Sequence, residues 1–129
     1  MASIFTRIIN GEIPCYKVAE DKNFIAFLDI NPVAEGHTLV VPKIEQDYIF
    51  DLDDATLAGM MAFAKKVAAK IKSVTECKRV AIAVLGMEVP HAHMHLIPMN
   101  CEGDIDFKKP KKELTSEQFA ELTAKLRID

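Results

Sequence analysis

The stretch Val89-Pro90-His91-Ala92-His93-Met94-His95-Leu96-Ile97-Pro98 alternates imidazoles with apolar side chains at strict period two. Successive side chains of a strand point to opposite faces, so the spacing predicts a strand over residues 92–99. His91, His93 and His95 then share one face, while Ala92, Met94 and Leu96 project from the other and can pack against a helix. A merely polar, solvated face accounts poorly for this pattern. Three neighbouring rings repel when protonated and gain little when neutral.

Working outward, residues 4–10 form a short helix stopped by Gly11. Tyr16-Lys17-Val18-Ala19-Glu20 alternates like a half-buried strand, and Asp21-Lys22-Asn23 supplies a turn. Phe24-Ile25-Ala26-Phe27-Leu28-Asp29-Ile30 is apolar on both faces, which predicts a hairpin whose second strand is covered on both sides. A third strand over residues 37–41 ends at Pro42, and residues 80–84 form a fourth. Asp53 is the N-cap of a long helix, with Leu52 and Leu57 as its hydrophobic staple. Leu57, Met60, Met61, Ala64, Val67, Ala68, Ile71 and Val74 make its apolar stripe, in which the methionines read as core filler. Thr115-Ser116-Glu117-Gln118 is a capping box, flanked by Leu114 and Phe119, for a last helix over about residues 115–127. Lys108-Lys109-Pro110-Lys111-Lys112-Glu113 reads as a solvated loop. Short connections favour antiparallel pairing. The expected class is therefore α+β: a five-stranded antiparallel sheet, one long helix and short terminal helices, in a single domain over residues 1–129.

Composition narrows the function. Half of the 129 residues are hydrophobic, enough for a core. A net charge of -3 and a pI near 5.8 argue against a nucleic-acid binder, which needs a basic face. They leave room for a small anion in a local pocket. No apolar run approaches the roughly 20 residues of a membrane span. No basic-then-apolar secretory pattern is visible at the N-terminus, and Cys15, Cys77 and Cys101 are an odd, widely spaced set. They read as reduced thiols of a cytoplasmic protein.

The histidines admit two chemistries: a zinc site, or a nucleophilic imidazole attacking phosphorus while its neighbours hold the phosphoryl oxygens. Residues 90–98 resemble the motif of the histidine triad (HIT) superfamily, His-φ-His-φ-His-φ-φ, with Ala92, Met94, Leu96 and Ile97 at the apolar positions. Ile4-Phe5-Thr6-Arg7-Ile8-Ile9-Asn10-Gly11-Glu12-Ile13-Pro14 resembles the family's N-terminal segment. Phe27-Leu28-Asp29-Ile30-Asn31-Pro32 and Gly36-His37-Thr38-Leu39-Val40-Val41-Pro42-Lys43 resemble its nucleotide-side strands, so the likeness covers roughly residues 3–99. The resemblance implies a nucleotide hydrolase or transferase acting at the α-phosphate of purine nucleoside monophosphate (AMP or GMP) conjugates. It makes His93 the nucleophile, sets His37 and His95 on phosphoryl oxygens, and lets His91 orient His93 through its backbone carbonyl. It also puts Asp29 on the ribose, and the base against Ile4, Phe5, Ile8, Phe27 and Ile30. Asp29 stands out on its own terms too, because a carboxylate ending an apolar strand needs a partner. A homodimer is implied, with no cofactor.

Two departures from the family pattern qualify this. Many bacterial relatives hold a structural zinc with two cysteines and two histidines, the last being the first histidine of the triad. Here the other three positions read Ser3, Thr6 and Glu45, so no metal is expected. The loop before the triad, Ala83-Val84-Leu85-Gly86-Met87-Glu88-Val89-Pro90, is short. It carries Met87 and Glu88 on the leaving-group side where relatives have polar groups that reach the phosphate. Two other classes stay open. One is a nucleotide-binding protein with little turnover, and the other a metallohydrolase ligated by His91, His93 and His95.

Overall fold

The computed structural model describes residues 2–128. Met1 and Asp129, the outermost residues of the expected domain, lie outside that range. β1 (Lys17–Glu20), β2 (Phe24–Leu28), β3 (Thr38–Pro42), β4 (Arg79–Ala83) and β5 (Met94–Met99) form one sheet in the order β1-β2-β3-β5-β4, every neighbouring pair antiparallel. With α1 (Ile4–Ile9), α2 (Asp54–Thr75) and α3 (Ser116–Leu126), this is the expected α+β class.

Every residue of β2 and β3 is buried, because both faces of the sheet are covered. Phe24, Ala26, Leu28 and Val40 face the α2 side, while Ile25, Phe27, Leu39 and Val41 join Phe5 of α1 on the other. Asp53 caps α2 as expected, its carboxylate accepting the Thr56 N–H at 2.7 Å. The buried stripe is Met60, Phe63, Ala64, Val67 and Ile71. Met61, expected in the core, is 47 % exposed, and Phe63 takes an interior place against Phe24, ring centroids 5.6 Å apart. The helix meets the sheet closely at Gly59, where an added Cβ would stand 3.3 Å from the Phe24 ring. That contact sets the helix's rotation, and no single helical stripe reports it. The capping box of Thr115 and Gln118 is present in both directions. It starts α3, whose Phe119 stacks on Tyr16 at 4.9 Å.

Element ends differ from expectation where pairing stops. The strand predicted from residue 92 begins at Met94. Its ladder with β3 starts at Val40↔Met94 and that with β4 at Ala83↔His95. Upstream, the Ala92 N–H donates instead to the Gln46 carbonyl at 2.7 Å. Pro42 lies inside β3, opposite Phe24 at the end of that ladder.

Candidate active site

His91 and His93 precede β5, yet the two-residue alternation persists through the extended segment. Ala92, Met94 and Leu96 enter the α2-side core, and the imidazoles turn to the α1 side. None is solvated: His37, His91, His93 and His95 are 1 %, 0 %, 6 % and 9 % exposed. Such rings need partners, and the partners define which nitrogen carries hydrogen.

His93 Nδ1 lies 2.7 Å from the His91 carbonyl oxygen, which only accepts. Nδ1 is therefore the N–H, and Nε2 of the neutral ring keeps a bare lone pair. The Val33 N–H donates to His37 Nδ1 at 3.1 Å. His37 Nε2 must then carry the hydrogen that is donated to His95 Nδ1 at 2.9 Å. Neutral His95 consequently presents Nε2–H. The rings of His93 and His95 are 5.0 Å apart, so a lone pair and an N–H donor sit side by side. Both nitrogens of His37 are engaged within the protein, so His37 holds His95 and has no N–H left for a phosphoryl oxygen, the role the resemblance implied for it.

Electrostatics supports these forms. Burial, then the neighbouring His95, lowers His37 from 6.5 to about 3. Burial, then His93, lowers His95 to about 4. Burial also lowers His93, opposed by its hydrogen bond to the His91 carbonyl. Neutral imidazoles are what desolvation favours. The 3.5 Å approach of His37 Nε2 to Asp29 Oδ2 is accordingly not an ion pair near neutrality. Asp29 is itself raised, chiefly by burial, and its Oδ1 accepts the Asn31 N–H at 2.8 Å.

These groups line a cavity of about 480 Å³, within the range of small-molecule sites. Ile4, Phe5, Ile8, Phe27, Asp29, Ile30, His37, Met87, Glu88, His93 and His95 all lie on its wall. His91 does not. It stands behind, with Nε2 donating to the Pro42 carbonyl at 2.8 Å and Nδ1 2.7 Å from Ser3 Oγ. Phe5 packs edge-on against His93 at 4.9 Å. The sequence reading missed Phe107 and Lys111, which also line the cavity. The only available signal was an aromatic residue stranded in a charged run, and nothing local says where it docks.

Ser3, Thr6, Glu45 and His91 do come together, as a hydrogen-bonded cluster. Glu45 Oε1 accepts from the Ser3 N–H and the Thr6 hydroxyl, both at 2.6 Å, and the Ser3 N–H chiefly holds this carboxyl below its usual range. Ser3 Oγ also caps α1 by accepting the Thr6 N–H at 3.0 Å. The triad histidines do not converge on one point as ligands. The residues whose donor atoms do lie within 4.8 Å of one another are Asp29, His37 and His95. A cation there would have to displace the hydrogen shared by the two rings.

The comparison with known families now decides the relationship: the model of the HIT domain matches residues 10–101. The chain belongs to the HIT family. Relatives include the adenosine 5'-monophosphoramidase HNT1 of Saccharomyces cerevisiae, 41 % identical over 78 % of this chain and 65 % of that protein. An uncharacterized HIT-like protein of Borreliella burgdorferi is 36 % identical over 98 % of this chain and 96 % of its own. Among solved structures, a zinc-bound histidine triad family protein from Mycobacterium smegmatis superposes with a TM-score of 0.81 at 30 % identity, covering 98 % of this chain and 94 % of that one. As a HIT protein, the chain carries its three motif histidines at His91, His93 and His95, with Ser3, Thr6 and Glu45 hydrogen-bonded together beside His91.

Proposed function

We propose that this protein hydrolyses phosphoramidate conjugates of purine nucleoside monophosphates through a nucleotidyl-histidine at His93. The observation that carries this reading is the bare Nε2 of His93, aimed by the His91 carbonyl and flanked by the N–H of His95. Relatedness to phosphoramidases of budding and fission yeast, at 41 % and 37 % identity, supports an enzyme of this type.

In the first half-reaction Nε2 of His93 forms a bond to the α-phosphorus as the P–N bond of the substrate breaks. The leaving nitrogen takes that electron pair and a proton from water, and departs as an amine. His95 Nε2–H donates to a non-bridging oxygen as charge builds on it, and His37 holds His95 in the required tautomer. In the second half-reaction water adds to phosphorus, Nε2 recovers its lone pair, and the nucleoside monophosphate is released with a proton to solvent. Asp29 accepts from the ribose hydroxyls, and Ile4, Phe5, Ile8, Phe27 and Ile30 give the base an apolar wall.

Denaturation in detergent at alkaline pH during turnover of adenosine-labelled phosphoramidate tests this, because the P–N bond of a nucleotidyl-histidine survives base and breaks in acid. Label should stay on the protein, and His93→Ala should lose both label and turnover while AMP affinity stays within about tenfold, since the nucleophile acts in the transition state. Near-normal turnover by that variant overturns the reading. The exposed Met87 and Glu88 favour a second reading, nucleotide binding with little turnover. It would show as tight AMP binding without a product burst.

A homodimer belongs to the same proposal. β4 is an edge strand, and Ile82, Val84, Leu85 and Met87 expose apolar surface next to Met61, Tyr48 and Phe50, which suits a second copy. A cytoplasmic location is supported by the three free cysteines. No helix among the described residues is long and apolar enough to cross a membrane.

A further inference from the structure

The lysines of the charged run after β5 do not share one environment. Lys108, Lys109 and Lys112 are exposed, while Lys111 is half-buried and lines the cavity that holds His93 and His95. The segment carrying it is tied down. The N–H groups of Asn100 and Cys101 donate to Asp104 Oδ2 at 2.8 and 3.1 Å. The Lys112 N–H donates to the Pro32 carbonyl at 2.8 Å, fastening the segment beside the Asp29 corner. Between these ties, Phe107 sets its ring edge-on to His95 at 5.0 Å and to His37 at 6.2 Å. Lys111 reaches back over Phe107, with Nζ 5.5 Å from the ring centroid and donating to the Phe107 carbonyl oxygen.

The charge inventory of the cavity gives this placement its meaning. Among the described lining residues, Asp29 and Glu88 are carboxylates and Lys111 is the single lysine or arginine. The imidazoles are held neutral by burial, so they offer hydrogen bonds and no counter-charge. A cation at the cavity wall offsets the repulsion that the two carboxylates exert on an entering phosphoryl anion. An ammonium has three donors, and one neutral carbonyl engages only one of them.

We propose that Lys111 is the phosphate-binding cation of this site, its ammonium pairing with a non-bridging oxygen of the nucleotide, delivered by the segment that follows β5. The proposal rests on the nucleotide reading above and adds a residue outside the triad. The competing role is a loop prop, in which Lys111 does no more than close its own turn through Phe107.

Calorimetric titration with AMP and with adenosine separates the two. Lys111→Met should weaken AMP binding roughly 10- to 100-fold, the range of a charge-assisted hydrogen bond, and flatten its salt dependence. Adenosine, which lacks the phosphate, should bind within about twofold of the unmodified protein. Lys111→Arg should keep most of the AMP affinity. Unchanged AMP binding by Lys111→Met overturns the proposal, and so does a parallel loss of adenosine affinity, which marks a loop prop. If the unmodified protein binds neither compound, the nucleotide reading falls and this proposal with it. If it binds AMP and the methionine variant binds it equally, only the role of Lys111 falls.

Discussion

Acid should destabilise this protein through His37. Burial, reinforced by the neighbouring His95 and the Lys111 charge, lowers the ring from 6.5 to about 3. In the unfolded chain it titrates near its ordinary value. The folded value is the depressed one, so the contribution is fully present above 6.5 and is lost as pH falls toward about 3. Near pH 5 the unfolded ring binds almost one proton and the folded ring almost none, which removes about 2 kcal/mol relative to neutral pH. The slope in that window is about 1.4 kcal/mol per pH unit for one proton. His95, lowered to about 4, steepens the same window. Because the rings share a hydrogen bond and repel when both are charged, the two apparent values belong to the pair. Urea unfolding of the unmodified protein and of His37→Asn, followed from about pH 7.5 to 4.5, measures this. The variant starts less stable, having lost the bond to His95, but its stability should fall more gently with acid, by about one proton. Equal slopes, or a folded-state His37 resonance that titrates near its ordinary value, refute the reasoning.

Three further outcomes follow from the site. Purified tag-free protein should hold well under one zinc per chain and keep its Tm in chelator, since Ser3, Thr6 and Glu45 form a hydrogen-bonded cluster with His91; a stoichiometric metal that resists dialysis contradicts this. Glu88 lines the cavity, so lysine-linked adenosine phosphoramidates should show higher kcat/KM than anionic dinucleoside polyphosphates, and Glu88→Gln should narrow the gap several-fold, more at low salt. Ser3→Ala removes both the cap of α1 and the partner of His91 Nδ1. It should cost about 1–2 kcal/mol in urea unfolding and lower kcat with KM nearly unchanged, because the His91 carbonyl then aims His93 less well; unchanged kcat separates the cap from the chemistry.

Much of the fold was legible because its signals are local. The two-faced apolar run of β2, the caps at Asp53 and Thr115, and the period-two histidines each record a constraint met within a few residues. The errors fall where distant elements decide. Met61 and Phe63 exchange places because the close approach at Gly59 sets how α2 is turned against Phe24. β5 begins at Met94 because the backbone upstream bonds elsewhere, the Ala92 N–H to the Gln46 carbonyl.

The candidate site divides along the same line. The amino-acid sequence alone determined which side chains share a face at residues 91–95, since strand alternation is a property of the backbone. Through the family resemblance it also pointed to Asp29 and the α1 residues. Which nitrogen of each ring carries hydrogen was decided only in three dimensions, by the carbonyls of His91 and Pro42 and the N–H of Val33. The same holds for Phe107 and Lys111. A charged run in solvent and a charged run folded over a cavity have the same composition. What separates them here is a set of long-range contacts, the Lys112 N–H on Pro32 and the Phe107 ring against His95, whose stabilisation no short stretch of chain contains.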